Sequence, residues 1–95
     1  MIKYTLKKSK EFKKGVKKLN KDDLELLRKI LNKLPNDEPL ESKYKDHALK
    51  GNLKGIRDCH IRPDLILLYE KNNNELILTA LRIGKHSELG LSNDR

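Results

Sequence analysis

The stretch from Ile56 to Gly84 constrains this chain more than any other part of it. Within it, "LILLYE" (65–70) is apolar at five consecutive positions, Leu65 to Tyr69. A strand with one wet face alternates apolar and polar residues, so an unbroken run predicts a central strand buried on both faces. Ahead of it, "IRDCHI" (56–61) reads as a strand. Its Ile56, Asp58 and His60 share one face, and Arg57, Cys59 and Ile61 share the other. After it comes "ELILTALRI" (75–83), closing at Gly84. The intervening "RPD" and "KNNN" are turn formers, because Pro63 presets φ and asparagine tolerates left-handed backbone. Three strands joined by two tight turns make an antiparallel meander.

The N-terminal half must cover that meander. "IKYTL" alternates Ile2, Tyr4 and Leu6 with polar residues, which predicts a half-buried strand. Ser9 is placed to cap a helix whose apolar stripe is Phe12, Val16 and Leu19. Asp22 and Glu25 have the spacing of a capping box for a second helix. Its stripe is Leu24, Leu27, Leu31 and Leu34, widened by Ile30. Pro35 disfavours helical geometry at Leu34, and "PNDEP" is a turn-rich exit. A short link around Asn20 makes the two helices an antiparallel hairpin. The segment "LESKYKDHALKGNLKG" (40–55) is irregular and reads as loop with at most one short strand. The expected fold class is α+β, an N-terminal strand and helical hairpin on one face of an antiparallel sheet. Ninety-five residues suffice for one core, so residues 1–95 form a single domain.

Charge is placed as unevenly as hydrophobicity. The formal net charge is +8, yet residues 1–20 hold eight lysines against Glu11, leaving 14 basic and 13 acidic residues beyond. A cationic end of this kind attracts polyanions by counterion release. It is equally what a solvated lysine-rich helix face looks like. No apolar run approaches the roughly 20 residues of a membrane span, and "MIKYTLKKSK" lacks the apolar region of an export signal. A lone Cys59 cannot form an internal disulfide, so a reducing cytoplasm is the expected compartment, with no membrane partner.

The titratable residues crowd beside the apolar centre. His47, His60 and His86 lack the short spacing of zinc ligands, and Cys59 and His60 point to opposite strand faces, so neither a metal site nor a cysteine nucleophile is expected. No phosphate-binding glycine loop is present, and no cofactor is implied. Acid–base chemistry on RNA fits the inventory better. Cleavage by the substrate's own 2′-hydroxyl needs one group to remove a proton, one to protonate the departing 5′-oxygen, and cations for the phosphorane-like charge. His47, His60, Asp64 and His86 supply the first two. Lys50, Lys54, Arg57, Arg82 and Lys85 are candidate phosphate contacts. His60 lies near one strand's end, Asp64 opens the next, and His86 follows the last, so they can meet at one sheet edge. Each also has a plain structural use: His47 as a surface histidine, His60 as a strand cap, Asp64 as a turn residue, and Arg57 paired with Asp58 or Glu70. Composition and spacing leave both readings open.

Taken together, "YKDHALKG", "GIRDCHIRPDLILLY" and "LRIGKHSELG" resemble the YafQ branch of the RelE/ParE superfamily, small bacterial toxins of type II toxin–antitoxin systems. With the helical hairpin ahead of them, nearly the whole chain is covered. The resemblance implies a RelE-like fold and a ribosome-dependent mRNA endoribonuclease that uses no metal. It also implies a cognate antitoxin, with operator DNA bound only through that partner. Its catalytic positions fall on His47, His60, Asp64 and His86. His86 and Asp64 are expected to carry the proton transfers, with His47 and His60 orienting substrate or sharing that work. Where the family can carry aromatics, this chain has Leu65 and Leu89, so base stacking is weaker or comes from ribosomal RNA. Two alternatives stand beside it: a ParE-like toxin acting on gyrase, and a non-enzymatic basic RNA-binding module.

Overall fold

The computed structural model describes residues 3–49 and 55–89. In chain order its elements are β1 (Thr5–Lys8), α1 (Lys10–Val16), α2 (Lys21–Lys33), β2 (His47–Ala48), β3 (Ile56–Arg62), β4 (Leu65–Asn72) and β5 (Ile77–Lys85). Short 3₁₀ turns follow α2 and precede β2. The strands form one five-stranded sheet in the order β1-β5-β4-β3-β2. The "LILLYE" strand is therefore central, as its composition requires, with Ile66 and Leu67 both fully buried on opposite faces.

Two apolar clusters explain that double burial. Phe12, Leu27, Ile30 and Leu34 from the helical half pack on Cys59, Leu67, Tyr69, Leu78 and Ala80 of the sheet. On the other face Leu49 and Leu89 fold over Ile66 and Leu68. Each such side chain removed from water contributes about 1.5–3 kcal/mol, which fixes the strand register on both sides.

Three local expectations need correction. The sheet is mixed rather than purely antiparallel, because β1 runs parallel to β5, with Thr5 opposite Ile77 and Lys8 opposite Ala80. Hairpins impose antiparallel pairing only on strands adjacent in sequence, and these two are the first and the last. The second helix is capped not by Asp22 but by Asn20, whose side chain accepts from the Asp23 N–H at 2.8 Å. That earlier entry puts Asp22 and Asp23 in the first turn, where carboxylates suit the helix dipole. The last strand opens at Ile77, not Glu75. The Asn72 carboxamide accepts from the Asn74 and Glu75 N–H groups, at 3.0 and 2.9 Å, and Leu76 takes left-handed backbone at φ 55°. Together these prolong the turn. Ser9 does cap α1, accepting from Phe12 N–H at 3.0 Å while its hydroxyl donates to the Leu81 carbonyl. One side chain thus starts the helix and ties it to β5.

Asp37 joins three separate parts of the chain. It follows the 3₁₀ turn in left-handed backbone (φ 59°), and its carboxylate accepts from Lys71 Nζ at 2.7 Å and Lys3 Nζ at 3.0 Å. Hydrogen bonding from Lys71 and then Lys3, reinforced by the Lys71 charge, lowers its pKa from 3.8 to about 2. A depressed carboxylate pKa stabilises the fold above the unfolded-state value, and that stability is lost as pH falls through the folded value. Asp37→Asn is therefore expected to melt below the wild type at neutral pH. The gap should close between about pH 4 and pH 2 in a calorimetric series. A gap independent of pH would assign the effect to something other than charge.

Candidate active site

The sheet face away from the helices carries two of the three histidines. Side chains on directly paired residues share a face. The register aligns His47 with Asp58, Asp58 with Leu68, Leu68 with Arg82, and His60 with Ile66. His47, Asp58, His60 and Arg82 consequently lie across one surface, with Ile66 and Leu68 as its floor. The His47 and His60 rings stand 6.4 Å apart, tilted by 31°. His47 Nδ1 lies 2.7 Å from the Lys45 carbonyl oxygen and 3.0 Å from Asp58 Oδ1. Asp58 is fully buried and His60 nearly so, whereas 39% of the His47 side chain is open to solvent.

The other two predicted residues sit at one end of the sheet. Pro63 and Asp64 form the β3–β4 turn, and Leu65 pairs with Lys85. Asp64 and His86 are the next residues beyond that pair, each in a turn. The turn after β5 is held by its own backbone. The Leu89 N–H bonds back to Lys85 and His86 carbonyls at 3.2 and 3.3 Å, and Glu88 Oε1 accepts from Lys85 N–H at 2.8 Å. Arg82 reaches the same turn, with Nη2 at 3.5 Å from the Glu88 carbonyl. A cleft of about 580 Å³ opens here, where Lys14, Lys18, Arg62, Arg82 and Lys85 alternate with Glu11, Asp23, Asp64 and Glu88, and Arg62 is paired with Asp23. His47 and His60 do not line it; they occupy the adjoining open face. Of the predicted residues, His47 and His60 stand together on the open face, Asp64 lines the cleft, and His86 lies in the turn after β5.

Arg57 belongs to neither group. It projects to the helix side with Cys59, where its Nε lies 3.4 Å from Asp46 Oδ1 and 3.2 Å from the Tyr69 hydroxyl. Tyr69, itself fully buried, donates to the same carboxylate. Burial, then the Asp46 hydrogen bond, pushes the Tyr69 phenol up. Arg57 pairs with Asp46, not with Asp58 or Glu70, and braces the segment entering β2 instead of facing a phosphate. The odd position in β3 dictates the face, and Asp46 drops to the same side. Lys50 and Lys54 lie outside the described residues.

Cys59 is also on the helix side and fully buried. Burial, with the Asp46 and Asp58 charges adding, pushes its thiol up to about 12, so it stays protonated and unreactive at neutral pH. Among the described residues no group of three or more His, Cys, Asp or Glu is arranged to hold a metal ion. The residue that sequence reading missed is Asp58. Its face was legible from the strand period, but its partner lies on β2, and only the register joins them.

Comparison with known proteins adds to this geometry. Residues 4–91 match the family model for YafQ, the bacterial toxin of a type II toxin–antitoxin system. The mRNA interferase toxin YafQ of Escherichia coli strain K12 is 37% identical over 92 residues, spanning 94% of this chain and 98% of that one. Among solved structures, a metal-bound toxin from Helicobacter pylori is 47% identical with a TM-score of 0.82, covering 94% of this chain and 99% of its own. The E. coli DinJ–YafQ toxin–antitoxin complex aligns at 36% identity and a TM-score of 0.81, covering 93% of this chain and 98% of the matched one.

Proposed function

The chain belongs to the YafQ family of type II toxin–antitoxin toxins, and from that premise we propose that it is an mRNA interferase that cuts translated message on the ribosome. The observation that carries the reading is the arrangement of His47 and His60 on an open face beside a cleft that holds Asp64 with Lys14, Lys18, Arg82 and Lys85. In the proposed reaction a base takes the proton of a 2′-hydroxyl, and that oxygen attacks the adjacent phosphorus. The P–O5′ bond breaks as the 5′-oxygen is protonated, leaving a 2′,3′-cyclic phosphate and a 5′-hydroxyl. Imidazole suits both transfers because its two protonation states coexist near neutral pH. Arg82, Lys85 and the α1 lysines supply charge for the developing phosphorane.

The packing of two leucines supports dependence on the ribosome. Leu65 and Leu89, at the two positions that can be aromatic, are both buried and committed to packing, Leu65 on the helix side and Leu89 over Ile66 and Leu68. Neither presents a stacking surface, so the message must arrive already splayed and held. A ParE-like attack on gyrase would make no use of the histidine–aspartate set.

A cognate antitoxin is the second part of the proposal. A groove of about 500 Å³ between α1, α2 and β1 exposes Leu6, Val16, Leu24 and Leu31. Lys8, Lys13, Lys17 and Arg28 rim it, which suits an acidic amphipathic segment. Operator DNA would then be bound through the antitoxin. One experiment tests the whole reading. The chain is co-purified with the small acidic protein encoded beside it, separated by denaturation and refolded. It is stripped of metal with EDTA, exchanged into EDTA-free buffer, and then added to ribosomes translating a defined message. Cleavage within the reading frame is expected, stopped when the antitoxin is returned. Supercoiling inhibition without cleavage would favour gyrase, and activity that returns only when a transition metal is added back to the stripped protein would overturn the metal-free chemistry.

A further inference from the structure

His47 stands on a two-residue edge strand, a place where an imidazole would ordinarily be free to rotate and to exchange tautomers. Here its Nδ1 faces two oxygens at once, the Lys45 carbonyl at 2.7 Å and the Asp58 carboxylate at 3.0 Å. Both are acceptors. A bare ring nitrogen would set its lone pair against each of them, so Nδ1 carries the proton and the neutral ring keeps its lone pair on Nε2. Asp58 itself is fully buried in the middle of β3. Burying a carboxylate costs several kcal/mol unless partners compensate it, which makes this position unusual for mere packing.

Resting on the nuclease reading above, we infer that Asp58 is a positioning residue that acts through His47, making Nε2 of His47 the group that accepts the 2′-hydroxyl proton. When that proton arrives, the ring becomes an imidazolium whose Nδ1 lies 3.0 Å from a buried carboxylate oxygen. A carboxylate at that distance fixes the orientation of the ring, as the aspartate of a catalytic triad does. Division of labour follows. His47 takes the 2′ proton on the open face, and the Asp64–His86 end delivers one to the departing 5′-oxygen. His60, 6.4 Å from His47 between centroids, borders the path between them. The protein end of the pair is braced from the opposite side of the sheet, where Tyr69 and Arg57 grip Asp46, the residue before His47.

A mutant cycle on ribosomes translating a defined message tests this, using Asp58→Asn, His47→Ala and the double variant. Because the Lys45 carbonyl still holds the tautomer, Asp58→Asn is expected to cost on the order of 10–100-fold in kcat, less than the roughly 10⁴-fold of a triad aspartate, with KM little changed. In the His47→Ala background the same change should cost almost nothing, since the group it serves is gone. Equal losses in both backgrounds would overturn the inference. Should Asp58→Asn fail to fold, ¹⁵N NMR of the wild-type imidazole decides instead. A neutral His47 protonated at Nδ1 is expected, and protonation at Nε2 would overturn the assignment. Absence of cleavage by the wild type would sink the nuclease reading alone, leaving the NMR result to judge the His47–Asp58 geometry.

Discussion

Replacing Asp64 or His86 with alanine is expected to lower message cleavage by roughly 10²–10⁴-fold, the usual worth of a positioned proton-transfer group. Stability should barely move. Asp64 is exposed in a two-residue turn, and the His86 turn is closed by backbone bonds from Leu89 and by the Glu88 carboxylate, not by the imidazole. Surface changes of that kind ordinarily shift folding by no more than about 0.5 kcal/mol. Cut-site mapping on translated message, paired with thermal melts, separates chemistry from folding. Full cleavage by both variants would remove the sheet end from the reaction. Loss in one alone would name the donor to the 5′-oxygen. Because the two side chains reach the site from different strands, their joint loss should not multiply if they work as a unit.

A larger structural effect is expected at Gly15, where the usual rule reverses sign. Alanine within a helix is normally favoured over glycine by about 1 kcal/mol. In this fold a Cβ at position 15 would lie 2.4 Å from the Ile83 carbonyl oxygen and 2.8 Å from Ile83 Cγ2. The first of these is backbone in the middle of the β5 sheet strand and cannot swing aside as a side-chain tip would. Gly15→Ala should therefore push α1 off β5 and destabilise the protein by about 1–3 kcal/mol net, the range for overpacked interfaces. For a domain of this size that is a fall of roughly 5–20 °C in melting temperature. Gly15 and Ile83 also line the cleft with Asp64 and Arg82, so cleavage should weaken alongside stability. A variant as stable as wild type would mean that α1 and β5 are less closely packed than this.

The contrast between these two predictions mirrors what could be read from the chain. His86 and Asp64 were singled out by their own functional groups, at strand ends that the turns made legible. Gly15 announces nothing in sequence, since a glycine mid-helix looks like a weak position until the strand beneath it is known. Arg57 misled for a related reason. Its charge suggested a phosphate, but its place in the strand period sent it to the helix face, where Asp46 and Tyr69 were waiting. Asp58 was assigned to the correct face yet read as scaffolding, because its partner lay on a two-residue strand that no periodicity could reveal.

Local pattern alone determined the central buried strand, the meander around it, the Ser9 cap, and which side chains of β3 face together. Each of these depends on a few residues adjacent along the chain. The tertiary structure decided the parallel pairing of β1 with β5, the entry of α2 at Asn20, the contact of Gly15 with Ile83 and the alignment of His47 with Asp58. Three of those four join segments far apart in sequence, and their register is set by the summed burial of two apolar clusters, which no single residue carries. The helix entry was local but fell to competition between caps, settled once the helix had docked.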